Sequence, residues 1–171
     1  EVAIETACYR LLTMQQPVAR DFRVIAFVLK VNQDIERVAD HASSIAKSII
    51  AIRGDIPPKW PTSLEELAHR VPAQCHVLLK AVADEDTEKA VEIVEGDKIL
   101  DEIHRRLFDE IVETMDGSGE SSANGLLIYR IGRELERIGD LMAAIAEDLV
   151  YLSTGNIIRH QKRMKQAPKE D

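Results

Sequence analysis

The sequence predicts an all-α protein built from two copies of one helical unit, and three observations carry that expectation. Apolar residues recur at helical spacing over five segments bounded by Pro and Gly. The chain is 45% hydrophobic but only 4% aromatic, with Ala, Ile, Glu, Val, Leu and Asp commonest, a mixture suited to helices packed on helices. Two stretches, "DIERVADHASSIAKS" from Asp34 to Ser48 and "ELERIGDLMAAIAED" from Glu134 to Asp148, repeat one pattern at an offset of 100 residues.

The first segment, "EVAIETACYRLL", is periodic from its first residue without an initiator Met or a cap and runs to about Met14. The chain therefore reads as beginning inside a helix, with sequence expected upstream. "QQPVARD" interrupts it, and Pro17, lacking an N–H, suits the first turn of the next helix. That second helix extends to about Ile52 along a stripe of Val24, Phe27, Val28, Val31, Ile35, Val38, Ala42, Ile45 and Ile49. At about 1.5 Å per residue it spans roughly 50 Å. "RGDIPPKWPTS" stops it with Gly54 and three prolines. Ser63 and Glu66 form an S-x-x-E capping-box pattern that opens a third helix, in which Pro72 predicts a kink, and which ends before "DEDTE". A fourth helix is expected from Thr87 to Met115, with Gly96 a soft spot inside it. "DGSGESSANG" has the composition of a flexible connection. A fifth helix then runs from about Gly125 to Leu152 and is closed by Gly155. The resulting organisation is a first repeat over 1–53, a linker over 54–62, a second repeat over 63–155 and a tail over 156–171. Because two helices precede the motif in the second repeat and only 1–14 precede it in the first, symmetry predicts one further helix and most of another before Glu1.

Charge and motifs exclude several functions. A net charge of −8 argues against nucleic acid as a partner, because that affinity comes from Lys and Arg displacing counterions. Cys8 and Cys75 lack metal-like spacing and read as buried free thiols in a reducing compartment. No run of 18 apolar residues and no signal peptide is present. G-x-x-x-x-G-K-[ST], H-E-x-x-H and G-x-S-x-G are all missing. A ferritin-like di-iron centre would need two E-x-x-H sequences, and only Asp101-x-x-His104 approaches one.

The repeated carboxylates remain to be explained. Glu36 and Asp40, like Glu136 and Asp140, stand at i and i+4, where like charges repel by about 0.2–0.5 kcal/mol. On the helical wheel Glu36 and Asp40 fall on the exposed flank of the apolar stripe, and Arg37 can offset Asp40 through an i,i+3 contact. A solvated face accounts for one such pair. Recurrence in the same phase, together with Asp97, Asp101 and His104 on one flank of the fourth helix, favours a cation such as iron, zinc, manganese or magnesium. On spacing alone the two readings balance, and His104 is the weaker ligand candidate because histidines are common on exposed helix flanks.

Longer segments resemble a known family. "QQPVARDFRVIAFVLKVNQDIERVADHASSIAKSI" and "RELERIGDLMAAIAEDLVYLSTGNIIRH" resemble the two signature segments of the PhoU family, the phosphate-specific transport system accessory proteins. The resemblance rests on the Q-P-V-A-x-D-x-R opening, the two E-R-x-x-D motifs and the "AEDLVYLSTG" ending. It implies a cytoplasmic protein of two pseudo-symmetric three-helix bundles, the first incomplete at its N-terminus in this chain. It also implies that E(D)-x-x-x-D motifs hold a metal cluster. Here those motifs are Glu36 with Asp40, Asp97 with Asp101, and Glu136 with Asp140, while a fourth would fall just before Glu1. Leu141 and Ala144 replace the family's common His and Asn, whereas the first repeat keeps His41 but has Ser44. The function implied is negative regulation of phosphate uptake and phosphate-starvation signalling. Such a protein acts as a non-enzymatic homodimeric adaptor between a PstB-like transporter ATPase and a PhoR-like sensor histidine kinase, and reaches the membrane only through its partners. The alternative is a metal-dependent phosphohydrolase that uses the carboxylate clusters as a two-metal clamp.

Overall fold

The computed structural model describes residues 1–52, 60–118 and 122–158, with the side chains of 116–118 and 122 excepted. The described residues form five helices: α1 (Val2–Gln15), α2 (Ala19–Ala51), α3 (Thr62–Asp84), α4 (Thr87–Ser118) and α5 (Ser122–Thr154). No strand occurs among the described residues. Helices α3, α4 and α5 pack pairwise against one another, α2 lies along α5, and α1 rests on α2. The second repeat is thus a closed three-helix bundle, and the first contributes a two-helix hairpin docked on its last helix. Leu67 of α3, Ile103 and Leu107 of α4, and Met142 and Leu149 of α5 are almost wholly buried at the centre of that bundle. Phe27, Val31, Val38 and Ile45 bring one flank of the α2 stripe against the same core.

Several local expectations are revised by tertiary contacts. Pro17 does not open α2, because Gln16 is left-handed (φ 46°) and Val18 extended, so the proline sits within the turn that folds α1 back onto α2. The helix starts at Ala19, itself at φ 50°, a conformation costing a non-glycine residue about 1–2 kcal/mol. Ser63 and Glu66 form no capping box, since α3 already begins at Thr62. Ser63 instead donates its backbone N–H (3.1 Å) and its hydroxyl (2.6 Å) to the Glu110 carboxylate of α4. A carboxylate 47 residues away thereby complements the positive end of α3. Glu66 turns to Arg70 and Arg106, each at 2.8 Å. Pro72 lies on the exposed face of α3, which continues through it as one helix.

The α3–α4 junction is a tight pair of caps. Glu85 takes a left-handed conformation, the Asp86 N–H bonds back to the Ala81 carbonyl at 2.9 Å, and Asp86 Oδ1 accepts the Lys89 N–H at 3.0 Å. The α4–α5 connection is shorter than its composition suggests. Helix α4 continues to Ser118 and α5 starts at Ser122, so 119–121 alone, from the middle of "DGSGESSANG", lie outside the described residues. Packing overrides the Gly and Ser content here: a Cβ on Gly125 would approach Met115 Sδ to 2.8 Å, so the two helices touch almost to their ends. The rest of the expected linker and tail, 53–59 and 159–171, also lies outside the described residues, while Trp60 packs on the core. Cys8 is buried and Cys75 only partly so, its Sγ 3.0 Å from Met142 Sδ, and both are free thiols.

One glycine series positions the site. Gly125, Gly132 and Gly139 recur every seven residues along α5 and face α4. A Cβ at Gly132 would lie 2.1 Å from Leu107 Cδ2, and one at Gly139 would lie 2.5 Å from Leu100 Cδ1. Only glycine lets the two backbones approach this closely.

Candidate metal centre

The close α4–α5 contact brings carboxylates from both helices to one place. Asp101 of α4 and Glu136 and Asp140 of α5 each present an oxygen within 4.8 Å of the others. Asp97, one turn before Asp101, has Oδ1 3.8 Å from the Cβ position of Gly139. Its carboxyl is pushed up to about 6, first by partial burial and then by the charges of Asp140, Asp101 and Glu136. Burial, followed by the Asp140 and Asp101 charges, likewise raises Glu136, and burial followed by Asp101 raises Asp140. Arg137 opposes both shifts, and Arg133 opposes that of Glu136. Oxygen donors converging from two helices at the cost of mutual repulsion fit a hard or borderline cation.

His104 stands apart from this group. Its ring stacks on Tyr129, with centroids 5.1 Å apart, and its Nε2 is buried without a hydrogen-bond partner. Burial first and then Arg133 hold its pKa down, while Asp101 pulls the other way. The structure therefore brings Asp97, Asp101, Glu136 and Asp140 together and leaves His104 outside the carboxylate triad.

The first repeat is more open. Glu36 and Asp40 are exposed on α2, and Glu36 faces Glu1, which raises its pKa through a hydrogen bond and then through charge. Glu1 supplies a carboxylate opposite Glu36 much as Asp101 does opposite Glu136, and the offset of 100 that relates the two motifs also relates Glu1 to Asp101. Arg37 pairs with Asp34 at 3.2 Å rather than with Asp40. Both contacts are compatible with helical spacing, and only side-chain placement decides between them.

Polar ties among the described residues seat α2 on α5. His41 Nδ1 lies 2.5 Å from Glu134 Oε2, Lys30 Nζ 2.9 Å from the buried Asp148 carboxylate, and Arg23 Nε donates to the Leu152 carbonyl at 3.0 Å. The result is an all-α protein that joins a helical hairpin to a three-helix bundle and displays paired acids on adjacent helices.

That architecture is the PhoU one. A sequence model described as the PhoU domain matches residues 1–49 and 64–149, and the chain belongs to this family. It is 31% identical over 156 residues to the phosphate-specific transport system accessory protein PhoU homolog of Deinococcus radiodurans, spanning 91% of this chain and 73% of that one. With the Escherichia coli accessory protein PhoU it shares 29% over 160 residues, 94% of this chain and 66% of the other. The crystal structure of the phosphate transport system regulatory protein PhoU from Streptococcus pneumoniae superposes with a TM-score of 0.83 at 31% identity, covering 92% of this chain and 73% of that one. PhoU from Pseudomonas aeruginosa gives 0.81, also at 31% identity, covering 87% and 72%. The family is one of regulatory accessory proteins and not of enzymes, so the phosphohydrolase reading falls away. No described helix is long and apolar enough to cross a membrane.

Proposed function

We propose that this chain is an accessory regulator of phosphate transport that represses phosphate-starvation signalling from the cytoplasmic face of the transport system. The observation that carries the reading is the duplicated Glu-Arg-x-x-Asp unit within a PhoU fold, together with relatives named as phosphate-specific transport accessory proteins. Its role is that of a homodimeric adaptor between the transporter ATPase and a sensor histidine kinase. Helical surfaces and an excess of negative charge support binding without supplying a reaction centre.

Asp97, Asp101, Glu136 and Asp140 would hold a divalent or transition-metal cation, and Glu36 with Asp40 a second, more exposed one. A bound cation would neutralise the repulsion between the acids and tie α4 to α5. Residues of this chain would then orient the helices rather than activate water. Deleting the gene tests the regulatory reading: phosphate-starvation genes should be derepressed in phosphate-rich medium. Unaltered repression in the deletion strain would overturn it.

A further inference from the structure

The arginines of the duplicated motif cannot ligate a cation, because a guanidinium has no lone pair to offer. Arg37 and Arg137 occupy equivalent places in the two repeats, as do His41 and Leu141, and all four line one open cleft of about 470 Å3 between α2 and α5. The cleft therefore lies where the two repeats meet, and the fold turns a sequence duplication into a pair of arginines on one space, of which Arg37 also holds Asp34 at 3.2 Å. Arg133, one turn before Arg137, is a third. Like charges at i and i+4 on a helix repel. Neither Arg133 nor Arg137 forms an ion pair within 4.0 Å of a described carboxylate, although both act on Glu136, and Arg137 on Asp140, through their charge. His104 also lines the cleft, and its Nε2 is buried without a hydrogen-bond partner. His41 is anchored there through Nδ1 to Glu134, which leaves its Nε2 as the ring's other polar atom.

We propose that this cleft binds a phosphate-type oxyanion through Arg37, Arg133 and Arg137. Guanidinium forks from two helices match the several oxygens of such an anion, each able to donate two parallel hydrogen bonds. Glu136 and Asp140 border the cleft and oppose an anion while they are ionised. A cation on those carboxylates removes the opposition, so anion and cation binding reinforce each other. The choice of phosphate as the anion rests on the accessory-protein reading; the site itself rests on the arginines.

The test is calorimetric titration of the full 171-residue chain with inorganic phosphate, and separately with phosphoserine, in the presence and absence of magnesium. Saturable binding is expected, tighter with magnesium. The Arg37→Gln/Arg137→Gln double variant, with unchanged helical circular dichroism, should bind about tenfold or more weakly, because one charge-assisted fork is lost from each repeat. Preference for inorganic phosphate identifies the free ion, and preference for phosphoserine a modified partner side chain; either supports the site. Absence of saturable binding in all conditions, or equal affinity in the double variant, overturns it. These outcomes are separable from the regulatory reading, because a chain that binds phosphate normally but fails to repress would overturn that reading and leave this site standing.

Discussion

Ile35 and Leu135 occupy the same place in the repeat, yet they are 55% and 8% exposed; Ile49 and Leu149 are 51% and 0% exposed. Helix α5 is packed against α2, α3 and α4, whereas among the described helices α2 packs its length on α5 and α1 and reaches the end of α3 through the Arg20–Glu85 ion pair. One flank of the α2 stripe, from Phe27 to Ile45, is covered by the bundle, and the other, bearing Ile35 and Ile49, is not. The pair shows that an apolar stripe sets which face can be buried, while the neighbours supplied by the fold decide how much of it is.

Truncations at repeat-related positions should separate the two helices most sharply. Leu149→Ala is expected to cost about 2–5 kcal/mol and Ile49→Ala only about 0.5 kcal/mol, read as shifts in urea midpoint at constant slope. Equal losses would contradict the difference in burial. A smaller contrast lies at the glycine stripe. Gly132→Ala pushes a methyl into the fully buried Leu107 side chain and should cost about 1–3 kcal/mol, less up to about 1 kcal/mol regained in helix propensity. Its counterpart Asn32→Ala, which loses a 3.2 Å bond from the side-chain amide to the Glu1 carbonyl on an open surface, should change stability by about 0.5 kcal/mol or less.

The acids give a pH-dependent contrast. Asp97 titrates near 6 in the folded chain against an ordinary 3.8, so between those values the folded state holds a proton that the unfolded state has released. Its contribution to stability is full below 3.8 and is lost as pH rises through 6. In cation-free buffer at neutral pH, Asp97→Asn should therefore be the more stable chain by up to about 1 kcal/mol, after discounting for the half-exposed side chain. Melting curves should show that gain fade as the pH falls to 4. Glu36→Gln, on the fully exposed α2 flank, should shift in the same direction by less.

Much of this was legible from residue spacing. The five helices, the duplicated unit, and the placement of Asp97 with Asp101 on one side of α4 and of Glu136 with Asp140 on one side of α5 follow from periodicities of three and four residues, because a helix places such residues on one side. Contacts between distant segments were not legible. Glu110 displaces the local capping box at Ser63 from across the bundle, and Arg37 chooses Asp34 over Asp40 among two positions that helical geometry permits equally. The connection around 116–125 looked loose because Gly and Ser favour turns, but Met115 packing over Gly125 extends both helices into it. The seven-residue recurrence of Gly125, Gly132 and Gly139 was the one available signal that α4 and α5 approach closely. The cleft between Arg37 and Arg137 left no local signature, since it exists only once α2 lies on α5.

The most direct test of the account is cation binding by the carboxylates that this close packing gathers. Manganese titration followed by elemental analysis after desalting should show saturable, retained metal in the native chain. That retention should be sharply reduced in an Asp101→Asn/Glu136→Gln/Asp140→Asn variant of equal helicity. Equal metal retention by the two proteins would contradict it.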